Sequence, residues 1–234
     1  MDHLQKTVLI TGGTGALGHV VAERFLKEGA TVASSYLFDK EVTHLSESFK
    51  KNVFVVRADV TEDEDVVAMF QQVIKKYGKV DILINIVGGF LGGTPIAKVS
   101  TKDWDFMMNI NLKSVFLCSR EFLRNIDGRH YGRIINMAAM PVFKPTAGRG
   151  PYAVSKAGVV MATQILGEEL KGTGITANAI APSILKTASN ISSMGEDDAN
   201  KWVEPEDVAE TILFLCSNRA GSINGVVIPI FGGV

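Results

Sequence analysis

The chain has 234 residues, 46% hydrophobic and 21% charged, which suits one α/β domain whose core needs no disulfide or metal staple. A net charge of −1 gives no electrostatic reason for a polyanionic partner, and no uncharged apolar run reaches the length of a membrane span. Cys118 and Cys216 lie in apolar, helix-like runs and read as free buried thiols of a reducing, cytoplasmic compartment, with no Cys/His cluster for a metal.

In chain order, short β-branched runs alternate with amphipathic stretches. The N-terminal MDHLQKTVLI has no signal-peptide core and leads into a strand at 7–10. A helix opens at Gly15 and runs to Lys27. A second strand is expected at 30–35 and a third at 52–60. A helix follows over 61–78, with Thr61 as N-cap and Glu64 completing a capping box. A fourth strand at 80–89 leads to a long helix over 101–126. Then come a strand at 132–140, a second long helix at 151–170 and a strand at 175–182. Residues 185–201 are rich in Ser, Asn and Asp and form a long connection, either a substrate lid or a disordered loop. A helix at 204–217 and a strand at 225–230 close the chain. Apolar strands separated by helices imply a doubly wound, parallel, seven-stranded sheet covered on both faces, one domain over 1–234.

The first strand–helix junction reads Thr11-Gly12-Gly13-Thr14-Gly15-Ala16-Leu17-Gly18. Residues without side chains let backbone N–H groups approach a pyrophosphate, and the helix N-terminus adds partial positive charge. Glycine-rich turns also occur without a ligand, but the position at the first strand–helix junction favours a Rossmann-type dinucleotide cradle. The end of strand two normally carries a carboxylate that grips the adenosine ribose of NAD, but here the position holds Tyr36. No carboxylate there repels a 2′-phosphate, so the cofactor expected is NADP or NAD, with a lean to NADP(H). Asp59-Val60 ends strand three, where the carboxylate meets the adenine or simply caps a turn.

Tyr152 and Lys156 stand four apart in a predicted helix, which puts phenol and ammonium on one face. A neighbouring ammonium favours phenolate and draws a Tyr pKa down, as a general acid/base needs.

Together these segments resemble the short-chain dehydrogenase/reductase family from Lys6 to Gly233. Asn85-Ile86-Val87-Gly88 is similar to the family's NNAG element with two substitutions, and Asn109-Ile110-Asn111-Leu112 to the segment with its catalytic Asn. Gly132-Arg133-Ile134-Ile135-Asn136 matches the strand before the catalytic Ser. The pattern continues through Tyr152, Ser155-Lys156-Ala157-Gly158, Asn178 and Pro182-Ser183. The resemblance implies hydride transfer between NAD(P)H and a carbonyl or conjugated substrate. It implies Tyr152 as acid/base, Lys156 lowering its pKa and binding the nicotinamide ribose, and Asn111 holding a relay water. It also places Asn85, Val87, Gly88, Pro182, Ile184 and Thr187 along the dinucleotide, with Thr187 at the nicotinamide carboxamide. The family's two long helices pair across subunits. Here Gly158, Val159, Ala162 and Thr163 make that face small or apolar, which implies a homotetramer or homodimer.

Two departures matter. The glycine turn fits TGxxGxxG, with Ala16 in place of a usual Gly. The family's Ser position holds Ala139, whose methyl cannot donate to a carbonyl oxygen. Gly88-Gly89-Phe90-Leu91-Gly92-Gly93, with Pro182, Thr187, Met194 and Trp202, is similar to the dihydropteridine reductases, which also lack this Ser. Their quinonoid substrate spreads the developing charge over a ring, so conjugated substrates suit Ala139 better than simple ketones. Two other readings stay open: a dinucleotide-binding regulator with little turnover, and a 3-oxoacyl thioester reductase. Arg149 and Lys144 flank the active-site loop as candidate anion contacts or as solvated charges.

Overall fold

The computed structural model describes residues 3–126 and 128–234; Met1, Asp2 and Asp127 of the expected 1–234 domain lie outside the described residues. The strands are β1 (Thr7–Thr11), β2 (Thr31–Tyr36), β3 (Val53–Arg57), β4 (Ile82–Asn85), β5 (Gly132–Met137), β6 (Ile175–Pro182) and β7 (Val227–Ile230). They form one all-parallel sheet in the order β3-β2-β1-β4-β5-β6-β7.

Alternation along the strands explains the two covered faces. Val8 and Ile10 point to one side with Ile82 and Ile84, under α1 (Ala16–Lys27) and α9 (Pro205–Cys216). Leu9 and Leu83 point to the other side, under α4 (Asp63–Tyr77) and α6 (Ser114–Arg124). Cys118 and Cys216 are buried and free, and burial pushes the Cys118 thiol up to about 12. Among the described residues no helix is long and apolar enough to cross a membrane.

The sheet reverses direction of growth between β1 and β4, and such a switch leaves a crevice at the carboxyl ends of the strands. The expected strand at 80–89 stops at Asn85 for this reason. The amides of Ile86 and Val87 leave the ladder and donate to the Thr11 hydroxyl at 3.1 and 3.3 Å. Below the crevice, Asn85 Nδ2 donates to Asn136 Oδ1 (2.8 Å), and Asn136 Nδ2 donates to Thr163 Oγ1 (2.9 Å). This chain ties β4 and β5 to α7 (Gly150–Glu169).

Several expectations are corrected. The helix expected over 101–126 is three pieces: α5 (Thr101–Met108), a π-helical turn (Asn109–Lys113) and α6. Two short charged helices, α2 (Asp39–Thr43) and α3 (Glu47–Asn52), occupy the stretch before β3. The third strand ends at Arg57 rather than residue 60, because Asp59 turns the chain by accepting from Thr61 N–H and Oγ1. That bond also removes the capping box: α4 starts at Asp63 with Glu62 at its N-cap and no side-chain cap. Within 185–201 lies α8 (Ala188–Met194), so the stretch is ordered. Val159 and Thr163 are fully buried and cannot form an outer face; the exposed apolar residues of α7 are Val154, Met161 and Ile165.

Candidate active site

The glycine turn is shaped by contacts that forbid side chains. Gly12 has φ +72, and a Cβ on Gly18 would lie 2.2 Å from the Gly12 carbonyl oxygen. The first turn of α1 therefore packs directly on the loop backbone. Gly15 and Ala16 are exposed, and no side chain caps α1, so its N–H dipole faces open space beside Thr14. Val87 closes one wall: a Cβ on Gly12 would lie 3.1 Å from its methyl. This uncapped, glycine-rich cradle at the β1/β4 crevice fits a dinucleotide pyrophosphate.

At the adenosine end the structure shows a carboxylate that position 36 did not reveal. Glu41, on α2, accepts from the Thr14 hydroxyl (2.8 Å) and from the Phe38 N–H (2.9 Å). Tyr36 ends β2 and pairs in register with Arg57, whose Nε donates to the Leu37 carbonyl at 3.3 Å. A positive and a negative side chain thus meet the end of β2. The signal for Glu41 was absent because it depends on a five-residue helix invisible to periodicity. Asp59 spends Oδ1 on its own turn, and Val60 packs into the core.

The catalytic end is built from α7, β5 and the π-helical turn. Tyr152 and Lys156 share a face of α7, as their spacing requires, but the ammonium does not turn to the phenol. Lys156 Nζ donates to the Met137 carbonyl at the end of β5 (2.7 Å). Burial, with no ion pair among the described residues to offset it, pulls Lys156 down to about 8. Burial also pushes Tyr152 up to about 12, and the charge that draws it back is that of Arg149, not Lys156. The expectation that Lys156 lowers the Tyr152 pKa is corrected accordingly. The Tyr152 hydroxyl makes no hydrogen bond with a described residue; its ring meets Phe90 edge-on, centroids 5.0 Å apart.

Asn111 lies in the π-helical turn and is fully buried. Its Oδ1 accepts from Gly89 N–H (2.9 Å), and its Nδ2 donates to the Gly89 carbonyl (3.1 Å) and to Ser155 Oγ (3.0 Å). The side chain is thus a brace between the Gly88-Gly89 loop and α7, and the expected water is not needed to satisfy its amide. A Cβ on Gly88 would lie 2.8 Å from Asn111 Oδ1 and 3.2 Å from Lys156 Nζ, so these three residues converge.

Tyr152, Lys156, Gly88 and Gly89 open on a cavity of about 610 Å³, well within the range for a small-molecule site, with Asn111 buried behind them. Leu17, Gly88, Ala139, Pro182, Ile184 and Met194 are on its wall. Asn85 and Thr187 are placed differently from expectation. Asn85 turns inward to Asn136 and Ser119, and Thr187 is the N-cap of α8, accepting from Asn190 N–H at 3.2 Å. Thr146 is exposed and directed at the Lys144 carbonyl, so it offers no replacement for the hydroxyl missing at Ala139.

Comparison with known proteins gives a consistent picture. The family model described as short chain dehydrogenase matches residues 6–197. The chain is 33% identical to the BbsD subunit of (2S)-[(R)-hydroxy(phenyl)methyl]succinyl-CoA dehydrogenase from Thauera aromatica, over 97% of this chain and 96% of that one. It is 29% identical to the 3-oxoacyl-[acyl-carrier-protein] reductase FabG of Thermotoga maritima, over 98% and 97%. A solved structure described as ElxO with NADP bound superposes with a TM-score of 0.90 at 30% identity, covering 97% of this chain and 98% of that one.

At neutral pH the buried Lys156 opposes folding. Its folded pKa of about 8 lies below the ordinary 10.5, so between these values the unfolded chain binds more protons and this group's contribution to stability rises with pH. Lys156→Met should therefore raise Tm over wild type at about pH 7 more than at about pH 10. Thermal melts across that range check it; a difference that does not change with pH would contradict the desolvated ammonium.

Proposed function

We propose the mechanism and preferences of an enzyme whose class follows from its family: the chain belongs to the short chain dehydrogenase family and is an NAD(P)-dependent oxidoreductase acting on carbonyl groups. The nicotinamide, when bound, supplies hydride to the carbonyl carbon. The observation that carries the rest is the Tyr152 hydroxyl, unpaired on the cavity wall and held protonated by burial.

Tyr152 gives its proton to the carbonyl oxygen as a C–H bond forms at the carbon and the C=O π bond breaks. Lys156, fixed on the Met137 carbonyl beside Gly88, is placed to hold a ribose hydroxyl and to return a proton toward Tyr152. Asn111 positions Gly88-Gly89 and Ser155 around that ammonium. Gly12, Thr14, Gly15, Ala16, Leu17 and Gly18 cradle the pyrophosphate and ribose, while Val87, Pro182 and Ile184 wall the nicotinamide. Residues 185–201 act as a lid, with Asn190 and Met194 of α8 on the cavity.

Among the described residues on the cavity wall, Ala139 leaves Tyr152 as the one hydroxyl able to donate to the substrate oxygen, since the Ser183 hydroxyl there donates to the Phe231 carbonyl. Conjugated carbonyl substrates, which spread the developing charge, should therefore outperform simple uncharged ketones. A 3-oxoacyl thioester is the second reading, favoured by the similarity to FabG. Tyr152→Phe should lower kcat by on the order of 10²–10⁴. Ala139→Ser should raise kcat/KM for a simple ketone roughly tenfold more than for a diketone or quinone. Steady-state assays with quinonoid dihydropterin, quinones, diketones, simple ketones and 3-oxoacyl thioesters decide this. Equal wild-type rates on simple and conjugated ketones would remove the inference from Ala139.

For the cofactor, NADP(H) should bind at least as tightly as NAD(H). Position 36 lacks a carboxylate, Arg57 stands at the end of β2, and the superposed ElxO structure holds NADP. Glu41 works in the opposite direction through its contact with Thr14. Glu41→Gln should raise the NADP(H)-to-NAD(H) affinity ratio about three- to tenfold, read by calorimetry. An unchanged ratio would show that the carboxylate is too far from the 2′ position to matter.

Assembly as a homotetramer or homodimer is supported by the exposed face of Val154, Met161 and Ile165 on α7 with Phe116 on α6. Light scattering at micromolar protein should give a multiple of the monomer mass, and Met161→Asp with Ile165→Asp should lower it. A wild-type monomer would contradict this.

A further inference from the structure

The polar side chains on the cavity wall are Arg149, Tyr152, Lys156, Ser183 and Asn190. Three each have a donor engaged within the protein. Lys156 donates to the Met137 carbonyl (2.7 Å), Ser183 to the Phe231 carbonyl (2.7 Å) and Asn190 Nδ2 to the Leu185 carbonyl (2.7 Å). Arg149 is different. Its half-buried guanidinium lies 5.5 Å from the Phe90 ring centroid and has neither hydrogen bond nor ion pair with a described residue. No Asp or Glu is on the cavity wall. Two cations therefore face this space with no anion among the described residues to balance them. A guanidinium carries its donors in a flat fork that matches a carboxylate.

The other basic residue of the same loop is disposed otherwise. Lys144 Nζ reaches the Val234 carbonyl (3.4 Å) and the Phe231 ring, 5.1 Å from its centroid. Of the two cations that the sequence offers as anion contacts, only Arg149 is on the cavity.

We propose that Arg149 determines specificity and that the substrate is an oxo acid: a carbonyl compound that also carries a carboxylate, with an aromatic or apolar body against Phe90. This rests on Tyr152 as the proton donor. Phe90 neighbours both groups, edge-on to the Tyr152 ring and 5.5 Å from the Arg149 guanidinium. A substrate anchored at Arg149 by its carboxylate and flanked by Phe90 is oriented with its carbonyl toward Tyr152. That anchor replaces the orienting contact that the methyl of Ala139 cannot make. The positive charge of Arg149 also eases formation of phenolate, against the effect of burial. Reduction balances without a further reagent: hydride from NAD(P)H goes to the carbonyl carbon, the Tyr152 proton goes to the oxygen, Lys156 returns a proton to Tyr152, and solvent restores that of Lys156.

The test uses purified full-length protein and matched probes: phenylpyruvate, benzoylacetate and 3-benzoylpropanoate, each with its methyl ester. At least one acid should be reduced with kcat/KM on the order of 10–100-fold above its ester. Arg149→Gln should collapse that ratio toward unity, and Arg149→Lys should restore part of it. Calorimetry with 3-phenylpropanoate, which has no carbonyl to reduce, should show Kd rising on the order of tenfold in Arg149→Gln, with 3-phenylpropanamide as the uncharged control. Esters reduced as well as acids in every pair would overturn the proposal, as would acids neither bound nor reduced. Ester reduction that depends on Tyr152 but shows no acid preference would overturn the oxo-acid assignment alone. Reduction that survives Tyr152→Phe would overturn the proposed proton donor.

Discussion

Lys156 Nζ donates to the Met137 carbonyl inside the protein, and no carboxylate among the described residues neutralises it. Buried ammonium groups are costly, so every neighbouring group is constrained by this one. The carbonyl that receives it is the last of β5. Asn111 presents an amide oxygen to the Gly88-Gly89 loop immediately beside the ammonium, and Gly88 must lack a side chain for the three to meet. The π-helical turn interrupts what would otherwise be one long helix at the residues that deliver Asn111. The cost in helix regularity supports a site rather than the core.

The dinucleotide end follows from a different constraint with the same outcome. The order of strands reverses between β1 and β4, and Thr11 resolves the reversal by accepting from two amides that have left the sheet. The crevice that results is bounded by the glycine turn and by Val87. Both ends of the site therefore lie along the carboxyl edge of one sheet, and α7 carries Tyr152 to the point where they meet.

Strand and helix order was legible because buried parallel strands are long apolar runs and the helices around them are amphipathic. The residues 175–182 strand and the α7 spacing of Tyr152 and Lys156 read directly from sequence. What was not legible depends on contacts between distant segments or on backbone turns too local for periodicity. The early end of β4 is set by Thr11, the broken helix at Asn109 by local backbone geometry, and the position of Glu41 by a helix too short for periodicity to register. The two cations of the catalytic end illustrate the same limit. Spacing put Lys156 beside Tyr152, but burial and the Met137 carbonyl decided where its ammonium went. In sequence Arg149 is either an anion contact or a solvated loop charge; the cavity distinguishes them, because Arg149 lies there beside Phe90 with no anionic partner among the described residues.

The central claim is that hydride enters the carbonyl carbon while Tyr152 protonates the oxygen, and isotope tracing addresses it most directly. Wild-type protein given an aromatic oxo acid and NADPH deuterated at the reactive ring carbon should yield the hydroxy acid with deuterium on the carbinol carbon. Tyr152→Phe should form that product at a rate lower by on the order of 10² or more, with dinucleotide affinity retained. Alcohol that lacks the label, or labelled alcohol formed as fast by Tyr152→Phe as by wild type, would contradict the account.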